Sequence, residues 1–153
     1  MIYFFDSSAL VKRYVTEVGS AWVQNLTAPT SGHTLIVARI TWVELLSALS
    51  RLLRMQNISS QHVTTAIGAF RFDWRTQYQT VELTEQITQR AGQLVQNHTL
   101  RAYDAVQLAS ALALFAPFTR TAPNPFVFLS ADNRLLTIAQ AEGLPTDNPL
   151  QHP

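Results

Sequence analysis

Ile2-Tyr3-Phe4-Phe5-Asp6-Ser7-Ser8-Ala9-Leu10 opens the chain with four apolar residues, one acid and two hydroxyl side chains. A short, wholly apolar run with no polar alternation fits a strand buried on both faces. A strand is buried on both faces only where helices cover each side of its sheet. Asp6, Ser7 and Ser8 are all good helix N-caps, so the strand should pass straight into a short helix from Ala9 to about Tyr14.

The rest of the chain repeats this alternation. A second helix is expected from Glu17 to Leu26, ended by Pro29 and Gly32, then a second strand over Thr34 to Ala38. Ile40 to about Arg54 reads as helix. Ser59 and Ser60 can cap another, in which Val63, Ile67, Phe70 and Trp74 form one apolar stripe, better suited to core packing than to a ligand. Thr80 to Leu83 is expected to be the third strand and Glu85 to Asn97 a helix. Ala102 to Phe115 is nearly continuous in apolar residues and too long for an ordinary strand, so it reads as a buried helix. Pro117, Pro123 and Pro125 enclose a loop; Phe126 to Leu129 is a fourth strand, Asp132 to Ala141 a helix stopped by Gly143, and the last residues can add an edge strand. The expected fold class is α/β, a three-layer α/β/α arrangement around a mainly parallel sheet. No repeat or linker divides it, so residues 1–153 are expected to form one domain.

Charged residues make up only 14% of the 153, against about a quarter in an average protein. An acid in apolar company is therefore informative. The net charge of +1 neither demands nor excludes a nucleic-acid partner; phosphate binding would need a local patch. Lys12 is the sole lysine among 11 basic residues. The absence of cysteine excludes disulfides and thiolate chemistry. The start lacks a basic leader and no apolar run reaches the roughly 20 residues needed to span a bilayer; no membrane association and a cytoplasmic location are expected.

Four carboxylates stand in such apolar company. Asp6 follows the first strand, where ligands of parallel sheets bind, although a helix cap would explain it equally; it can serve as both. Glu44 lies within Thr41-Trp42-Val43-Glu44-Leu45, where a bare buried charge is costly; otherwise it reaches solvent or pairs with Arg51. Asp104 sits in the first turn of the most apolar helix, where the dipole tolerates it without explaining why an acid is there. Asp132 follows the fourth strand as Asp6 follows the first. If those strands are neighbours, the two acids come close. Clustered carboxylates repel one another, and a hard cation such as Mg2+ or Mn2+ relieves that repulsion. None of His33, His62, His98 and His152 shows metal-ligand spacing, and no glycine-rich phosphate loop is present.

These residues carry a resemblance to the PIN-domain family, of the VapC-like toxin type found in toxin–antitoxin pairs. Phe5-Asp6-Ser7-Ser8-Ala9-Leu10, with Lys12 just after, resembles the family's first motif; Thr41-Trp42-Val43-Glu44-Leu45 resembles the second. Leu100-Arg101-Ala102-Tyr103-Asp104-Ala105-Val106-Gln107-Leu108-Ala109 resembles the third, with Gln107 where histidine is frequent. Phe128-Leu129-Ser130-Ala131-Asp132 resembles the fourth. The resemblance implies that Asp6, Glu44, Asp104 and Asp132 are catalytic and bind Mg2+ or Mn2+, with Ser8 and Ser130 in support. It implies an endoribonuclease that inhibits translation, is neutralised by a cognate antitoxin and forms a homodimer. Arg101, Arg13 and Arg39 are candidates to contact the RNA backbone.

Three other readings compete. An aspartyl-nucleophile phosphatase would want a second Asp two residues after Asp6, where Ser8 stands, and a downstream lysine. A receiver-type signalling domain also wants a late lysine, which is absent. A non-catalytic PIN-like interaction protein would keep the acids for stability or partner binding and would show no metal-dependent activity.

Overall fold

The apolar run Ile2–Phe5 is β1, the centre of a five-stranded sheet of order β3-β2-β1-β4-β5. The computed structural model describes residues 1–118, 123 and 125–153. Part of the loop expected around Pro117, Pro123 and Pro125 thus falls outside the described residues. The other strands are β2 (Thr34–Ala38), β3 (Tyr78–Val81), β4 (Phe126–Leu129) and β5 (Thr146–Asp147). Every pairing is parallel. The helices are α1 (Ser7–Leu10), α2 (Ser20–Leu26), α3 (Thr41–Arg54), α4 (Ser60–Thr76), α5 (Glu85–Asn97), α6 (Ala102–Phe115) and α7 (Asn133–Ala141).

Alternation along β1 sends consecutive side chains to opposite faces, and both faces are filled. Phe4 packs with Phe126, Phe128, Ala105 and Leu108 under α5, α6 and α7. Phe5 packs with Leu129, Leu45, Leu49 and Phe70 under α1 to α4. Both phenylalanines are fully buried, so truncating either to alanine would cost about 3–5 kcal/mol. The stripe on α4 is core, as expected: Val63 and Phe70 are buried, and Ile67 and Trp74 pack against them.

Three boundaries differ from the sequence reading. The strand placed at Thr80 to Leu83 begins two residues earlier, because Tyr78 buries its ring and pairs with Leu35; Leu83 is left exposed. The helix placed from Glu17 begins at Ser20, since Gly19 takes a left-handed conformation (φ 85°). An added Cβ there would lie 2.3 Å from the Pro149 carbonyl oxygen, so only glycine fits. The expected helix from Ala9 to Tyr14 is α1 followed by a 3-10 turn, Val11–Arg13. Among the described residues no helix is long and apolar enough to cross a membrane.

The chain moves outward from β1 to β2 and β3, then returns to place β4 on the opposite side of β1. The crevice at the carboxyl ends of strands flanking such a reversal is where open parallel sheets bind ligands. Asp6 leaves β1 at that point, and Ser130, Ala131 and Asp132 leave β4 beside it.

Candidate active site

Register brings the first two acids together. Phe5 pairs with Leu129, so Asp6 and Ser130 emerge side by side, and the Asp6 amide donates to the Leu129 carbonyl at 2.9 Å. Asp6 Oδ2 accepts from the Ser8 amide (3.2 Å), the Ser8 hydroxyl (2.5 Å) and the Ser130 hydroxyl (3.0 Å). Ser8 Oγ accepts from the Ala131 amide, and Ser130 Oγ from the Asp132 amide. Two serines thus tie the end of β1 to the end of β4. Asp6 is buried; burial pushes its carboxyl above the ordinary range, and the serine hydrogen bonds oppose the shift only in part. Its capping role is real, through the Ser8 amide.

Asp132 caps α7, its Oδ1 accepting from the amides of Arg134 (2.8 Å) and Leu135 (3.4 Å). For both aspartates the cap and the cleft position coexist. Asp104 lies in the first turn of α6. Burial raises its carboxyl, the charges of Asp6 and Asp132 raise it further, and Arg101 works in the opposite direction.

Glu44 neither stretches into solvent unpaired nor depends on Arg51. Its Oε2 accepts from the Gln107 amide at 2.6 Å and from the Ser7 hydroxyl. Gln107 Nε2 also donates to Thr41 Oγ1 (2.9 Å) and Ser7 Oγ (3.1 Å), while its Oε1 is buried with no partner among the described residues. Reversing the amide would set Oε1 against the carboxylate, so Glu44 dictates its orientation. Burial pushes the Glu44 carboxyl up, the Ser7 and Gln107 hydrogen bonds oppose this, and the charges of Asp6 and Asp104 add to it.

All four acids line one cleft of about 670 Å3, with Ser7, Ser8, Arg51, Arg101 and Tyr103 among the other wall residues. A larger cleft of about 910 Å3 lies between α4 and the end of α3; it has no carboxylate in its lining and offers no acid–base set. Of the three arginines singled out from the sequence, Arg101 lines the acidic cleft. Arg13 is instead bonded to buried Asp73 (Nε to Oδ2, 2.6 Å) and to Thr27. Arg39 pairs with Glu82 at the surface and lies 5.9 Å from the Trp74 ring centre; neither residue belongs to the cleft wall.

The sequence reading gave no role in the site to two charged wall residues, Glu17 and Lys12, although it placed Lys12 beside the first motif. Helical spacing held the signal for Lys12. Ser8, Val11 and Lys12 lie three and four residues apart and so share a face, and all three line the cleft.

In chemistry the donor set suits a hard divalent cation: oxygen ligands only, from carboxylates whose charges penalise one another. In placement, no three His, Cys, Asp or Glu side chains among the described residues are gathered into a ligand cluster. Asp6, Glu44 and Asp132 are held by hydrogen bonds at the wall of a shared cleft, and Asp104 joins them from the first turn of α6.

Residues 3–140 match the family model described as PIN domain. Over 142 residues the chain is 33% identical to "Ribonuclease VapC45" of Mycobacterium tuberculosis, covering 93% of this chain and 92% of that protein. "Ribonuclease VapC49" of the same species matches with the same figures. Among solved structures, a toxin–antitoxin complex from Klebsiella pneumoniae superposes with a TM-score of 0.63 at 16% identity, covering 96% of this chain and 97% of that one. Mycobacterium tuberculosis VapC20 gives 0.63 at 14% identity, covering 93% and 95%. At such identities these two likenesses speak for the fold.

Proposed function

Since the chain belongs to the PIN-domain family, we propose that it is an Mg2+- or Mn2+-dependent endoribonuclease, a VapC-like toxin that inhibits translation until a cognate antitoxin neutralises it. The observation that carries this reading is the convergence of Asp6, Glu44, Asp104 and Asp132, from four separate elements, on one cleft at the sheet's reversal point. The ribonuclease names of the two relatives at 33% identity support the substrate class. The solved toxin–antitoxin complexes of the same fold support the partner.

In this reading the four carboxylates hold the cation, which supplies Lewis acidity toward a phosphoryl oxygen and a water nucleophile at neutral pH. The chain's own groups do the rest. Ser8 and Ser130 fix Asp6 and so hold the ends of β1 and β4 in register. Gln107 and Ser7 fix Glu44. Arg101, at the exposed rim, can meet a neighbouring phosphate in bidentate fashion.

One observation favours a rival, a non-catalytic interaction protein. Asp6 and Asp132 both serve as helix caps, and no ligand cluster is formed among the described residues. Incubating purified, antitoxin-free protein with total RNA, with and without Mg2+ or Mn2+ and beside Asp104→Asn, separates the two. Metal-requiring cleavage that is lost in the variant is expected. No cleavage by wild type with either metal would favour the rival, and equal metal-independent cleavage by both proteins would indicate a contaminant.

A further inference from the structure

Lys12 is the one lysine of the chain, and its side chain is 5% exposed although it lines the acidic cleft. Its Nζ donates to Glu17 Oε1 at 3.0 Å. An ammonium carries three donors, and this is its one hydrogen bond among the described residues. The pair is lopsided. Lys12 is anchored by the short helical segment whose Ala9 and Leu10 are fully buried. Glu17 has its backbone held by Ser20, but its side chain is 44% exposed. The desolvated cation is fixed and its counter-ion is the loose member.

The charges around it sharpen the point. Five carboxylates line the cleft (Asp6, Glu17, Glu44, Asp104 and Asp132) against three cations, Lys12, Arg51 and Arg101. Both arginines are exposed, so Lys12 is the one buried cation in the wall among the described residues. A polyanion entering here is repelled by the acids unless a fixed cation receives it.

We infer that Lys12 and Glu17 form an exchangeable pair, in which Glu17 occupies on the Lys12 ammonium the place that a backbone phosphate of bound RNA takes over. The inference rests on the ribonuclease reading and adds a phosphate-binding residue to it. Releasing Glu17 costs little, since an ion pair with a half-exposed partner contributes little to stability. Lys12 remains paired throughout, which a buried charge requires. A phosphate contact positions the strand without reading its sequence.

The test is fluorescence anisotropy of a labelled, mixed-sequence, single-stranded oligoribonucleotide in EDTA, where binding is read without cleavage. Lys12→Met should bind about ten-fold more weakly at low salt, the worth of one charge-assisted contact. Its plot of log affinity against log salt should be shallower by about 0.7, one phosphate on a single strand. Lys12→Arg should keep most of the affinity. Glu17→Gln should bind several-fold more tightly than wild type, because the competitor is gone. A purely structural clamp predicts the reverse for Glu17→Gln: weaker binding and a lowered Tm, in parallel with Lys12→Met. That result, or wild-type affinity in both variants, would overturn the inference and leave the ribonuclease reading standing. If wild type binds no RNA without a cation, the inference fails while the metal-dependent ribonuclease reading stands, to be decided by the cleavage assay. Should Lys12→Met not fold, Glu17→Gln decides: tighter binding supports the exchange, equal or weaker binding overturns it.

Discussion

Replacing Gln107 with leucine removes the group that holds Glu44 in place while keeping the volume of a fully buried side chain. The Glu44 carboxylate loses its 2.6 Å bond, and hydrogen bonds to charged groups are worth about 1.5–3 kcal/mol. The Thr41 hydroxyl, on a residue with no exposure, loses the Gln107 donor, and a buried polar group left unsatisfied costs about 1–3 kcal/mol. Against these losses, leucine also removes the unpartnered Gln107 Oε1, which returns a similar amount, about 1–3 kcal/mol. The net destabilisation is then about 2 kcal/mol, which lowers Tm by about 4–8 °C for a chain of this length. The same change strips one of the two hydrogen bonds that oppose the raised Glu44 carboxyl, so that carboxyl should rise further. Calorimetric melting gives the first quantity, and the pH profile of RNA cleavage gives the second, with its acid limb moving to higher pH. A variant that melts within a degree of wild type and keeps the same acid limb would refute the claim that Gln107 supports Glu44.

Other consequences follow from the same geometry. Arg13→Met strands Asp73, whose side chain is 6% exposed; breaking a buried pair typically costs about 3–5 kcal/mol, and the bonds from Tyr14 and Gln77 should keep the loss near the lower end. Thermal melts should show that loss with unchanged RNA affinity in the folded fraction, whereas selective loss of RNA binding at unaltered Tm would return Arg13 to the RNA-contact role. Asp6, Glu44 and Asp104 are all raised in the folded state, so between the ordinary carboxyl range and their raised values the folded protein binds more protons than the unfolded chain. The contribution of these three groups to stability is therefore fully present below the ordinary carboxyl range and is lost as pH rises through the raised values. In EDTA, Tm should rise as pH is lowered from neutral into that window, and Asp104→Asn should melt higher than wild type at neutral pH with a flatter profile; a Tm that instead falls steadily on mild acidification would contradict the sign.

The fold was legible because its signals are local. The apolar run Ile2–Phe5 and the long apolar stretch Ala102–Phe115 each name their own element and its burial, and the strand–acid geometry at Asp6 and Asp132 follows from where β1 and β4 end. What escaped was non-local. Glu44 takes its partner from Gln107, 63 residues away, whereas the sequence offered only Arg51 on its own helix. Gln107 lies one turn after Asp104, and only the fold, which brings Ser7, Thr41 and Glu44 within its reach, turns it toward Glu44. Arg13 looked available because its counter-ion, Asp73, lies 60 residues further on. The start of β3 was displaced because Tyr78 buries a ring whose hydroxyl bonds to Tyr14 (2.5 Å), a pairing that periodicity within Thr80–Leu83 cannot announce. Lys12 belongs to the first motif in sequence, but its place in the cleft wall follows only from its helical spacing from Ser8.

The central claim is that four carboxylates from four elements act as one cation site although Asp6 and Asp132 also cap helices and Glu44 is bonded to Gln107 and Ser7. Calorimetric titration of the metal-free protein with Mn2+, beside Asp6→Asn, Glu44→Gln, Asp104→Asn and Asp132→Asn, tests it most directly. Saturable binding by wild type that is sharply weakened in every folded variant is the predicted result. Failure of wild type to bind Mn2+, or wild-type affinity in the folded Asp6→Asn and Asp132→Asn variants, would show that those aspartates are helix caps and that the cleft does not work as a metal centre.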